Sequence, residues 1–238
     1  GVIDMCGFPK PGYWFRKALW NEDPMVYIAV QTDVSARNRY VVSFWSWPKV
    51  EEHWNHNQIG DTLAVHVYTN VPDVELILNG KSLGVRRWDL INEAFLFWEV
   101  PYEPGKLEAV GKTPDGKTVS FAVQTAGEPA KIALTPDRNT IKANKQDLCY
   151  VEVQLLDVNN VPVPFENNMI EFEVSGAGKL VAVGNGNQQS HTPLRGNKME
   201  TYLGKCLAIV QSTDKKGIIT ITAKSGPLPV ATAKIKSE

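Results

Sequence analysis

The chain has 238 residues, of which 43% are hydrophobic and 21% charged, and its formal net charge is −1. That length holds one large domain or two of ordinary size, and a charge so near zero offers no basic field to nucleic acid or anionic lipid. No apolar stretch approaches the roughly 20 residues of a membrane-spanning helix, so neither nucleic acid binding nor membrane insertion is expected.

The opening Gly1-Val2-Ile3-Asp4 reads as the interior of a longer chain. Pro11 stands where a helix can begin, because the N–H it lacks is one that a first turn leaves unused. Tyr13, Trp14, Phe15, Leu19 and Trp20 then make residues 12–20 apolar around most of a helical surface. A helix of that kind is buried against a large partner. Residues 11–20 are therefore expected to pack against the first sandwich or a neighbouring molecule, and removing residues 1–22 to leave both sandwiches folded and to reduce self-association. No other segment reads as an obvious helix.

From Met25 onward, period-2 alternation and turn residues take over. Residues 25–30, 40–45, 62–68, 74–78, 95–100, 106–111 and 118–124 are predicted strands. The run at 74–78 ends at Asn79-Gly80 and a further strand begins at once; this is the pair that a two-residue type I′ hairpin demands, since both turn positions need positive φ. The small residues of Thr125-Ala126-Gly127-Glu128-Pro129 close this first module. A second series follows at 131–134, 148–157, 169–174, 179–183, 206–211, 217–223 and 231–235. Seven short strands at such spacing point to an immunoglobulin-like sandwich. The expected fold is all-β, with two tandem immunoglobulin-like β-sandwiches at residues 23–126 and 127–238 and a short helical segment at 1–22 before them.

Cys6, Cys149 and Cys206 are too few and too scattered for a disulfide framework or a zinc site. Buried reduced thiols are expected, with a bridge between Cys149 and Cys206 as the alternative. No metal and no cofactor are expected. The nearest carboxylate pairs, Glu22-Asp23 and Glu51-Glu52, sit in polar, turn-like surroundings and read as solvated acids. His53 and His56 lack a third ligand nearby, and Trp54 between them reads as packing at an interface. Trp88, after Arg86-Arg87, is the best exposed candidate for stacking against a sugar ring, though core or interface use is the first reading for it as for Trp45, Trp47 and Trp98. Residues 184–191 could offer oxygens to calcium, but a turn held by side-chain to backbone hydrogen bonds is the stronger reading.

Several motifs occur in an order that resembles one family. GVIDMCGFPKPGYW at 1–14, HWNH at 53–56, VELILNGKSLG at 74–84, GNGNQQSH at 184–191 and CLAIVQS at 206–212 resemble the region after the catalytic barrel in family-2 glycoside hydrolases of the β-galactosidase kind. Departures from the family pattern are Pro11 and Asn187, each where Asp is usual, and His56, where Trp is more frequent. The resemblance implies that residues 1–22 are the end of a TIM barrel, its last loop and helix. It implies a parent enzyme that cleaves terminal β-linked sugars, foremost β-galactosides, with both catalytic glutamates upstream of Gly1 and no catalytic residue in this chain. Asp4 and Lys10 would lie at the C-terminal end of a barrel strand, where barrel active sites are built; they and Trp54 are the substrate-binding candidates, in the parent only. The implied partner is the missing barrel, with carbohydrate or a second copy of the chain as further partners. The implied location is the periplasm or cell surface of a glycan-degrading bacterium. A carbohydrate-binding module and an adhesin-like spacer are the competing readings.

Overall fold

A computed structural model of the chain describes residues 1–31, 48–89 and 94–238. The predicted strand at 40–45, with Trp45, and Trp47 lie outside the described residues. The chain divides into two compact units: Gly1–Val2 with Pro9–Thr125, and Ile3–Phe8 with Ala126–Glu238.

The first unit contains α1 (Pro11–Trp20), β1 (Val26–Gln31), β2 (Thr62–Thr69), β3 (Asp73–Leu78), β4 (Lys81–Arg87), β5 (Leu96–Pro101), β6 (Lys106–Lys112) and β7 (Thr118–Gln124). Its strands form two antiparallel sheets, ordered β1-β2-β5 and β4-β3-β6-β7. Because strand side chains alternate between faces, Ile28, Val65 and Trp98 from one sheet meet Val74, Leu76 and Leu107 from the other in a single apolar core. Asn79 at φ 51° and Gly80 at φ 80° make the β3–β4 hairpin turn with the two positive angles expected of that pair. The Asn79 amide also ties the turn to the next loop, donating to Pro104 O at 3.1 Å and accepting from Lys106 N at 2.9 Å.

β1 and β2 are buried on both faces. Tyr27, Ala29, His66 and Tyr68 point away from the core onto the face that α1 covers. Trp14 stacks on Tyr27 with centroids 5.0 Å apart, and Phe15 meets Tyr68 edge-on at 5.5 Å. Pro11 occupies the first turn of α1 and Lys10 its N-cap. The apolar helix thus finds a partner within its own unit, while Trp20 at its end stays 77% exposed.

The second unit contains β8 (Lys131–Pro136), β9 (Thr140–Ile141), β10 (Leu148–Leu156), β11 (Met169–Gly176), β12 (Gly178–Gly184), β13 (Lys198–Glu200), β14 (Lys205–Ser212), β15 (Gly217–Lys224) and β16 (Ala231–Ser237). Its sheets run β12-β14-β10-β8 and β13-β11-β15-β16-β9. Val151, Val153, Phe172, Ala208, Ile219 and Ile221 build the core between them. β9 and β13, two and three residues long, are too short to leave a periodic signature. The all-β class with β-sandwich units is what the chain adopts, and α1 is the sole helix among the described residues.

Candidate functional site

Three acids of the first unit, Glu51, Glu52 and Asp61, are each engaged by a separate partner. Glu51 exchanges two backbone bonds of 2.8 Å with Val30, and its carboxylate meets His53 Nε2 at 2.6 Å. Asn55 N–H donates to His53 Nδ1 at 3.2 Å, so Nε2 carries the ring proton and donates it to Glu51. Glu52 accepts the Tyr27 hydroxyl at 2.8 Å; burial, and then the negative charge of Glu52, hold that phenol above its ordinary pKa. His56 Nε2 lies 2.7 Å from Asp61, with the His56 ring edge-on to Tyr102 at 5.6 Å. The two histidines thus serve two different carboxylates. No three metal-ligating side chains converge among the described residues. Of the acids read from sequence as solvated, Glu22, Asp23 and Glu52 are exposed and Glu51 is half-buried, and Glu51 and Glu52 each hold a partner within the unit.

Trp54 is 0% exposed. Its indole N–H donates to Glu103 O at 2.8 Å, and its carbonyl accepts the Thr125 hydroxyl at 2.6 Å. It is a core residue stapling two loops, with its polar atom already used, so a sugar-facing or interface role does not fit its position. Trp88 takes the core role, the first reading of these tryptophans, and not the sugar-stacking one for which it is the candidate. Its ring packs against the first-unit core, and its buried indole N–H has no partner among the described residues. Arg86, two residues before it, lies over the Trp98 ring at 5.2 Å. A groove of about 350 Å³ runs along Leu78, Asn79, Lys81, Leu83, Val100, Pro101 and Glu103. Its walls mix aliphatic side chains with Asn79, Lys81 and Glu103, the Asn79 amide being spent on backbone, and none of them is the flat aromatic face that stacks on a pyranose.

In the second unit, the loop at 184–191 is held by its own side chains. Asn185 Oδ1 accepts from Asn187 N at 3.1 Å and its Nδ2 donates to Glu200 O at 2.9 Å; Asn187 Oδ1 accepts from Gln189 N at 2.9 Å. The oxygens that a calcium ion would need already accept backbone N–H groups. Asp4 clusters with this unit. Its Oδ1 accepts from Cys6 N at 2.8 Å and Phe8 N at 3.0 Å, closing a tight turn. Lys10 clusters with the other unit, where its backbone N–H donates to Val2 O at 2.9 Å and its carbonyl accepts from Tyr13 N at 2.8 Å. All three cysteines are free, and burial raises the Cys6 and Cys149 thiols to about 11.

Sequence reasoning missed the outer aromatic face of the first unit. His66 stacks on Phe95 at 4.6 Å and 8°, with Phe97 and Tyr68 edge-on. The available signal was that β2 is apolar or aromatic at even as well as odd positions, as a strand covered on both sides is.

Residues 132–234 match glycoside hydrolase family 2 C-terminal domain 5, and residues 60–120 match a domain of unknown function, DUF4982. The chain is 34% identical over 239 residues to the beta-galactosidase BoGH2A of Bacteroides ovatus, covering 100% of this chain and 25% of that protein. It is 25% identical over 241 residues to a beta-glucuronidase of Formosa agariphila, covering 100% of this chain and 22% of that one. A solved glycosyl hydrolase family 2 member from Bacteroides cellulosilyticus superposes with a TM-score of 0.87 at 33% identity, over 99% of this chain and 32% of that one. The chain therefore spans about a quarter to a third of the length of these relatives.

Proposed function

The chain belongs to glycoside hydrolase family 2, as a C-terminal region of such an enzyme, and from that premise we propose that it is the non-catalytic β-sandwich support of a hydrolase acting on terminal β-linked sugars. The observation that carries this reading is the engagement of Glu51, Glu52 and Asp61, the acids around the His53–His56 run. Glycoside cleavage by retention needs two carboxyl groups about 5–5.5 Å apart across a substrate cleft. Here Glu51, Glu52 and Asp61 are turned to His53, Tyr27 and His56. The catalytic carboxylates are then supplied by a barrel outside this chain, which the chain supports. β-Galactosides are the first substrate class, from the Bacteroides ovatus relative, and β-glucuronides the second, from the Formosa agariphila relative. The reading includes export to the periplasm or cell surface, supported by the family resemblance and tested by fractionating the source cells.

The experiment assays the longer enzyme and the chain by itself on aryl β-galactosides and aryl β-glucuronides. Turnover by the longer enzyme and none by the chain is the expected result. Turnover that co-purifies with the chain and disappears on Glu51→Gln overturns the non-catalytic assignment.

A further inference from the structure

The turn at residues 4–8 is far in sequence from the second unit yet clusters with it. Asp4 makes this turn rigid, because its Oδ1 holds two backbone N–H groups at once and its own N–H donates to Phe8 O at 3.1 Å. The facing loop is equally fixed: the Asn185 amide binds Asn187 N and Glu200 O. Where the two rigid pieces meet, the loop carries glycine. Gly186 has φ +73°, and a Cβ there would run into the Asp4 carboxylate; a Cβ on Gly184 would come within 2.9 Å of Cys6 Sγ. Asp4 cannot swing aside without releasing its two amides. Lys205 completes the seat, with Nζ 5.5 Å from the Phe8 ring centre and 3.3 Å from Glu152. Little apolar area is buried here, for Met5 at the turn's tip is 64% exposed. Contact of this kind sets geometry more than it adds burial energy.

We propose that Gly184 and Gly186 form a seat that positions the turn at 4–8, with Gly186 the positioning residue, so that the second unit governs the segment leading into Lys10. The consequence for catalysis rests on the proposed function: in the longer hydrolase, this segment ends a barrel strand, where substrate is handled. The second unit is then part of the enzyme's substrate geometry as well as a support.

The test uses the longer enzyme as wild type, Gly186→Ala and Gly226→Ala. Gly226 is the matched control, since it also has positive φ, +46°, but nothing within 4 Å of an added Cβ. Gly186→Ala is expected to speed hydrogen exchange of residues 3–10 about tenfold and to lower kcat/KM on the aryl glycoside about tenfold, chiefly through KM. Its Tm should match that of Gly226→Ala. Equal exchange and equal kinetics in the two variants overturn the proposal. If Gly186→Ala does not fold, Asp4→Ser empties the seat from the other side and is expected to give the same faster exchange; unchanged exchange overturns the proposal equally. A wild-type enzyme inactive on every aryl β-glycoside defeats the proposed function, and the exchange measurement still decides the seat.

Discussion

His66 is buried on the outer face of the β1-β2-β5 sheet, stacked on Phe95, and neither ring nitrogen has a partner among the described residues. Burial lowers its pKa from 6.5 to about 4. The unfolded chain therefore takes up this proton near pH 6.5, while the folded chain resists it until about pH 4. Stability from this group is complete above pH 6.5 and falls as pH drops between the two values. Between pH 7 and 5, before carboxylates titrate, the first unit should lose about 2 kcal/mol. Urea denaturation at the two pH values measures this, and His66→Phe should flatten the difference. An undiminished pH effect in His66→Phe would assign it to another group. Trp54 sits at the opposite extreme, fully buried with its N–H satisfied. Trp54→Ala should cost the first unit about 3–5 kcal/mol through the cavity it leaves, with the second unit's unfolding transition unchanged.

At the scale of elements, α1 is a lid on a sheet face that already has a core on its other side. Removing residues 1–22 should uncover Tyr27, Ala29 and Tyr68. Size-exclusion chromatography with light scattering should then show more self-association, since an uncovered apolar face favours it. This reverses the expected direction of self-association, because of the two partners read for the helix, the first sandwich or a neighbouring molecule, it packs on the first. Strand register decides the cysteines in a similar way. β10 and β14 place Cys149 opposite Val210 and Cys206 opposite Val153. The two thiols are thus offset by four positions, 149 to 153 along β10, or roughly 13 Å at the usual strand rise. A disulfide tolerates Cα separations of only about 7 Å. Peptide mapping under non-reducing conditions should find three free thiols; a linked 149–206 peptide would show that the register is wrong.

For the molecule as a whole, two compact units predict two unfolding transitions, and a family-2 C-terminal region with Glu51, Glu52 and Asp61 engaged internally predicts scaffold behaviour. Titration calorimetry of the chain with galactose and lactose should show binding no tighter than millimolar. Trp88 is packed against the core instead of presented, and a sugar pocket needs convergent polar groups beside an aromatic wall. Micromolar binding lost on Trp88→Ala, with the fold intact, would move the assignment to a carbohydrate-binding module.

What the sequence determined by itself was local. Asn79-Gly80 specified its hairpin because two positive φ angles are needed at neighbouring positions, Pro11 and the aromatic run after it specified α1, and period-2 alternation marked the core face of most strands. Only the tertiary structure decided which distant element lies on a strand's second face or over a loop's glycines. Alternation along β2 cannot say that α1 covers Tyr68, nor can Gly-Asn-Gly at 184–186 say that Asp4 occupies the space its missing side chain leaves. Trp54 and Trp88 look alike as tryptophans in polar runs, and neither proved to be a presented ring. Backbone preference and side-chain period are set by neighbours along the chain, whereas burial and partnership are set by whatever the fold brings across from elsewhere.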